Sequence, residues 1–204
     1  MNTNSNKNIT DTSSKLKREY ILKFLNNMTS ETKFKFWIKT LLSSYQVFPE
    51  IINTIDKIIE LQASTISFSS DIYNKSKTPF DEFEKVIDLS ERKNSLLNIY
   101  LMTKELLKKL SFNDNEFIEK RFIFNWSIEE LAKEYSVSLR TIYRKTDRII
   151  DQIYKTSISN NWTLTFLESQ VNEEGWLKDK FMKCVTEYCK LTYKGKNENL
   201  EKQL

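Results

Sequence analysis

The sequence predicts an all-α protein, a helical bundle with a long central helix and a helix-turn-helix. Three observations predict it. Apolar residues recur at steps of three and four along most of the 204 residues, glycine and proline occur only twice each, and capping residues precede the apolar runs. The sharpest pattern runs from Leu110 to Ile153 and reads as three short helices, the last two joined by a tight turn.

Ser127 followed by Glu130 makes a capping box, so a helix is expected from Ile128. Ile128, Leu131, Ala132 and Tyr135 then share one face, with Glu129, Lys133 and Glu134 toward water. The helix should end near Tyr135. Ser136, Val137 and Ser138 are too few for a flexible loop; Val137 is expected to plug the angle and Ser138 to cap a helix starting at Leu139. Small Ala132 permits a steep crossing, and Ile142 completes the contact. Ser136 stands at a turn position where glycine is common, at a modest cost. Lys145 stands where an apolar residue is usual, so its methylenes should lie along the surface while Ile149 and Ile153 continue the buried stripe.

The opposite face carries Arg140, Thr141, Tyr143 and Arg144, side chains suited to bonding phosphates, reading a guanine edge or touching a thymine methyl. The net charge of +4 is mild, so local distribution must supply the electrostatics. Arg140, Arg144, Lys145 and Arg148 stand against Asp147 alone, with Lys120 and Arg121 on the preceding helix. The expected partner is double-stranded DNA.

Composition narrows the chemistry. With no histidine, the commonest general base and nitrogen metal ligand are missing, and neither glycine lies in a phosphate-binding loop. An enzyme is not expected, and no catalytic residue, cofactor or metal is assigned. The acid pairs Glu129-Glu130 and Glu173-Glu174 read as solvated surface. Cys184 and Cys189 are spaced unlike a metal pair and are expected to pack in a C-terminal helix in a reducing compartment. No apolar run is long enough to cross a bilayer. The opening MNTNSNKNITDTSS has neither a basic n-region nor an apolar h-region, so residues 1–14 are expected to be disordered and the protein cytoplasmic.

Residues 15–64 form an N-terminal helical region with candidate helices Lys15 to Met28, Ser30 to Tyr45 and Pro49 to Gln62. Phe34, Phe36 and Trp37 alternate with Lys33, Lys35 and Lys39; core plus surface is expected there rather than a nucleic-acid platform. Residues 65–79, rich in serine, threonine and lysine, read as a linker. Residues 80–155 hold the long helix and the DNA-binding unit. Phe80 to Leu110 would span about 45 Å as one helix. Val86, Leu89, Leu96, Tyr100, Leu107 and Leu110, interrupted by Lys93 and Thr103, make a short coiled-coil-like seam. The seam is expected to pack on the protein's own helices, homodimerisation being the alternative. Residues 156–193 are a C-terminal helical extension: Thr156 to Asn161 as a polar break, Trp162 to Leu167, then a helix around Trp176 to Leu191 with Leu177, Phe181, Val185 and Tyr188 on one face. Residues 194–204 are a tail.

The segment KKLSFNDNEFIEKRFIFNWSIEELAKEYSVSLRTIYRKTDRII resembles region four of bacterial sigma factors. Leu110-Ser111, Arg121-Phe122, Ser127, Glu130-Leu131-Ala132, Val137-Ser138, Thr141-Ile142 and Arg144 stand at that family's signature positions. No segment reads as region two. From Pro49 to Ile153 the chain is similar to sigma-like phage regulators of the RinA and ArpU type, which activate late genes. The resemblance implies Arg140, Tyr143 and Arg144 in a major groove upstream of a promoter, with Ser127 and Ser138 anchoring helix ends on phosphates; RNA polymerase is expected as a second partner through another surface. A stand-alone sigma factor and a phage small-terminase-like packaging adaptor, which would form rings, are the alternatives.

Overall fold

The computed structural model describes residues 19–68 and 79–201, and among them every regular element is a helix. In order they are α1 (helical at 19–26), α2 (Ser30–Ser44), α3 (Phe48–Phe68), α4 (Pro79–Lys108), α5 (Phe112–Ile118), a π-helical turn (Glu119–Ile123), α6 (Ile128–Glu134), α7 (Leu139–Ser159), α8 (Leu164–Gln170) and α9 (Gly175–Glu201). None of these helices is long and apolar enough to cross a membrane. The expected disorder of 1–14 lies outside the described residues, as does most of the expected linker.

Short polar side chains start the helices. Thr29, Ser111, Ser127, Ser138 and Thr163 each adopt an extended conformation and accept a hydrogen bond from the backbone N–H three residues on. Among the described residues, three reverse the chain with positive φ, Asn125, Ser136 and Asn161, and none of them is glycine.

Three boundaries differ from those expected. α3 continues through 65–68 to Phe68, because no proline or glycine stops the hydrogen-bond ladder there. α7 runs through Thr156 to Ser159, since Thr156 and Ser157 satisfy their hydroxyls on the carbonyls of Gln152 and Ile153; the break falls at Asn160 and Asn161 instead. The backbone of α9 stays helical to Glu201, past the start of the expected tail.

Two apolar clusters fill the interior. One joins Phe34, Phe36, Trp37 and Leu41 of α2 to Phe48, Ile55, Leu96 and Ile99 and to Leu177, Phe181 and Val185 of α9. The other joins Ile38 and Leu42 of α2 to Phe117, Ile118, Leu131, Ile142, Ile149, Ile150 and Ile153. α2 therefore serves both, and the clusters do not follow the division at 65–79. The aromatic residues of α2 are core: Trp37 stacks on Phe181 at 4.4 Å, and Phe36 meets Tyr188 edge-on. Its lysines bridge outward, Lys33 to Glu168 and Lys35 to Asp151.

The long helix is continuous, 30 residues, with Pro79 at its start. Its seam faces inward for most of its length. Leu96 and Leu107 are buried, Thr103 turns its hydroxyl onto the Ile99 carbonyl, and Lys93 pairs with Asp56 of α3. Phe48 against Tyr100 and Asp56 against Lys93 make α3 and α4 antiparallel.

One acid expected at the surface is not there. Glu173 is exposed, but Glu174 is 1% exposed and accepts hydrogen bonds from Arg92 at both oxygens (2.6 and 3.1 Å) and from the Trp176 indole N–H (2.6 Å). Arg92 is 82 residues away in sequence, so no local pattern announces the pairing.

Candidate nucleic-acid interface

The candidate interface is built from the start of α7 and from what holds that start in place. Ser127 and Glu130 form a complete capping box. Ser127 Oγ accepts from the Glu130 N–H at 3.1 Å, and Glu130 Oε2 accepts from the Ser127 N–H at 2.6 Å and hydroxyl at 2.8 Å. Those two bonds hold the Glu130 carboxyl below its ordinary pKa. Ser136, at φ 51°, then turns the chain, and the Val137 N–H closes onto the Ala132 carbonyl at 3.0 Å. Ser138 Oγ accepts from the Thr141 N–H at 3.2 Å and lies 2.9 Å from Thr141 Oγ1.

Ile142 is fully buried beneath this turn, packed with Leu131 and flanked by Ala132 and Tyr135. Val137 does not plug the angle as expected. It is 38% exposed, whereas Leu131 and Ile142 belong to the apolar cluster that Ala132 packs against. With one buried anchor and a capped first turn, α7 presents its outer side chains from a fixed base.

Ser136→Gly relieves a left-handed L-residue and is expected to stabilise the fold by up to about 1 kcal/mol, offset in part by a freer unfolded chain. Ser138→Ala is expected to cost about 1 kcal/mol through the lost cap. Both are read as shifts in urea midpoint. A fall for Ser136→Gly, or no change for Ser138→Ala, contradicts this account of the turn.

The eight candidate residues separate into three groups. Arg140, Thr141, Tyr143 and Arg144 are exposed on the first two turns of α7, and among the described residues the side chains of Arg140, Tyr143 and Arg144 make no hydrogen bond, ion pair or ring contact. Lys145 and Arg148 are committed elsewhere. The Lys145 ammonium sits over the rings of Phe117 (4.6 Å) and Tyr135 (4.8 Å), so the expected surface-lying lysine also caps an aromatic pair. Arg148 donates to Asp114 of α5 at 2.7 Å. Ser127 and Ser138 are both helix caps, but only one leads a helix suited to an anion. α6 carries Glu129 and Glu130 in its first turn, whereas α7 carries no acid there and does carry Arg140. The positive end of the α7 dipole and Arg140 therefore point the same way electrostatically.

Neighbouring charges sharpen this. Lys120 is taken by Glu134 and Glu116, each at 2.9 Å, with the Glu134 bond the larger influence raising its pKa. Arg121 donates to the Trp126 carbonyl at 2.9 Å. Asp147, the one acid of the basic run, lies 3.5 Å from Lys39 of α2. Among the described residues, the uncommitted cations of α6 and the first turns of α7 are thus Lys133, Arg140 and Arg144, of which only the two arginines stand on α7.

A feature without a sequence signal borders this face. Tyr143, Thr146 and Asp147 of α7, Lys39 and Phe36 of α2, and Lys180 and Lys183 of α9 line a cleft of about 940 Å³. The α9 residues come from about 40 positions downstream, so only tertiary packing brings them there. No protein-family model, curated protein or solved structure matches the chain.

Proposed function

We propose that the chain is a sequence-specific, double-stranded-DNA-binding transcription regulator of sigma-like type, acting by binding rather than catalysis. α7 enters the major groove as the reading helix of a helix-turn-helix, and a separate surface touches RNA polymerase. One observation carries the reading: Arg140, Tyr143 and Arg144 stand exposed and uncommitted along the first two turns of a capped helix whose N-terminus lacks any acid. Arginine suits bidentate contact with a guanine edge or a phosphate, and tyrosine offers a ring edge and a hydroxyl. Ser138, with the free N–H groups of the first turn, suits a phosphate. Lys145 and Arg148 support this surface and contribute to its field. Ser127 holds α6, and its backbone N–H is already occupied by Glu130.

The test is capture of genomic fragments from the source on the purified chain, with and without core RNA polymerase lacking its sigma subunit. A regulator retains a discrete site by itself. Retention that needs core polymerase supports a stand-alone sigma factor instead, and retention of nothing in either arm overturns the DNA reading.

A further inference from the structure

We propose that the cleft between α2, the π-helical turn, α7 and α9 binds a small organic anion of mononucleotide size, a planar ring carrying a phosphate. Its volume, about 940 Å³, is that of a small-molecule site. It is concave, so a single small ligand enters it where the convex surface of a duplex does not.

The charge in it is unbalanced. Lys39, Arg121, Lys180 and Lys183 line the cleft against Asp147 and Glu187. Asp147 reaches Lys39, but among the described residues no carboxylate pairs with Arg121, Lys180 or Lys183. The Lys180 ammonium has only neutral acceptors, the Ser43 carbonyl and Ser44 Oγ, each at 3.3 Å. Burial, then the charge of Lys183, push its pKa below that of an ordinary lysine. A partly desolvated cation without a counter-charge gains most from an incoming anion. Rings complete the walls: Phe122, Tyr143 and Tyr188 line the cleft and offer apolar surface on which a base can stack, while Phe36 forms its buried floor. The phosphate is held by lysines here, so no glycine-rich loop is needed.

Tyr143 belongs both to this cleft and to the exposed face of α7. A bound ligand therefore alters what Tyr143 can reach, and occupancy changes DNA affinity. This second step rests on the DNA reading; the binding step does not.

Calorimetry on the full chain at low salt tests the site, with AMP, GMP, CMP, UMP and inorganic phosphate as probes. At least one mononucleotide is expected to bind, with inorganic phosphate weaker by about tenfold or more. Lys180→Met with Lys183→Met, which keeps the side-chain stems, is expected to weaken binding by about tenfold or more. Glu187→Gln, which removes an acid from an exposed position, is expected to strengthen it. No mononucleotide binding at millimolar concentration, equal binding of inorganic phosphate, or indifference to both sets of substitutions overturns the site. The bound nucleotide is then added to a DNA titration. Unchanged DNA affinity overturns the coupling, whereas nucleotide binding by a chain that holds no DNA leaves the site standing and sinks the DNA reading.

Discussion

Replacing Arg140 and Arg144 together with alanine is expected to remove about 2–6 kcal/mol of binding free energy for a specific duplex, taking about 1–3 kcal/mol for each base contact and treating the two as independent. Among the described residues neither arginine has a side-chain partner, so the fold should be unaffected, with stability changed by less than about 0.5 kcal/mol. The structure predicts an ordering that composition does not. Arg148→Ala should cost less affinity than Arg144→Ala, because Asp114 already engages the Arg148 guanidinium. Lys145→Ala should act mainly on stability, since it uncovers the Phe117–Tyr135 pair. Where an arginine meets a phosphate rather than a base, its loss lowers the slope of log affinity against log salt by about one. Titration of a labelled duplex at several salt concentrations, alongside thermal melts, measures all of these. Equal losses for Arg144→Ala and Arg148→Ala contradict the division of the face.

Glu174→Ala is expected to destabilise the protein by about 3 kcal/mol, the lower end of the range for breaking a buried ion pair. The reason is asymmetry. Glu174 is buried and takes three hydrogen bonds, and removing it leaves Arg92 and the Trp176 indole without their acceptor. Water can reach Arg92, whose side chain is 37% exposed, and this limits the cost. Glu174→Gln keeps the volume and one acceptor, so it should cost less. The pair fixes the turn between α8 and α9 onto α4, and α9 supplies one wall of the cleft, so the alanine variant should also weaken nucleotide binding. Urea unfolding of the two variants checks the stability effect. A midpoint for Glu174→Ala equal to that of the parent contradicts this role.

Much of α6 and α7 was legible in the sequence because the determinants there are local. The capping box at Ser127 and Glu130, the cap at Ser138, and the burial of Ile142, Ile149 and Ile153 each follow from spacings of three or four. The turn at Ser136 was legible from its place between two such patterns. What was not legible depends on partners distant in the chain. Nothing near Arg148 announces Asp114, nothing near Glu174 announces Arg92, and Lys180 and Lys183 resemble any surface lysines until α9 packs beside α2. The reach of α3 to Phe68 was missed for another reason: serine and threonine suggested a loop, yet polar residues extend a helix already nucleated by Ile51, Ile55 and Ile59. Charge counting along α7 overstated the free surface, because it could not see that Phe117, Tyr135 and Asp114 occupy Lys145 and Arg148.

In the proposed function the first two turns of α7 read DNA sequence. The most direct measurement is selection from a pool of randomised duplexes, run in parallel on the parent protein and on the variant with Arg140→Ala and Arg144→Ala, with the retained duplexes sequenced. A short motif is expected to be enriched by the parent and not by the variant. No motif with the parent, or the same motif enriched by both, contradicts it.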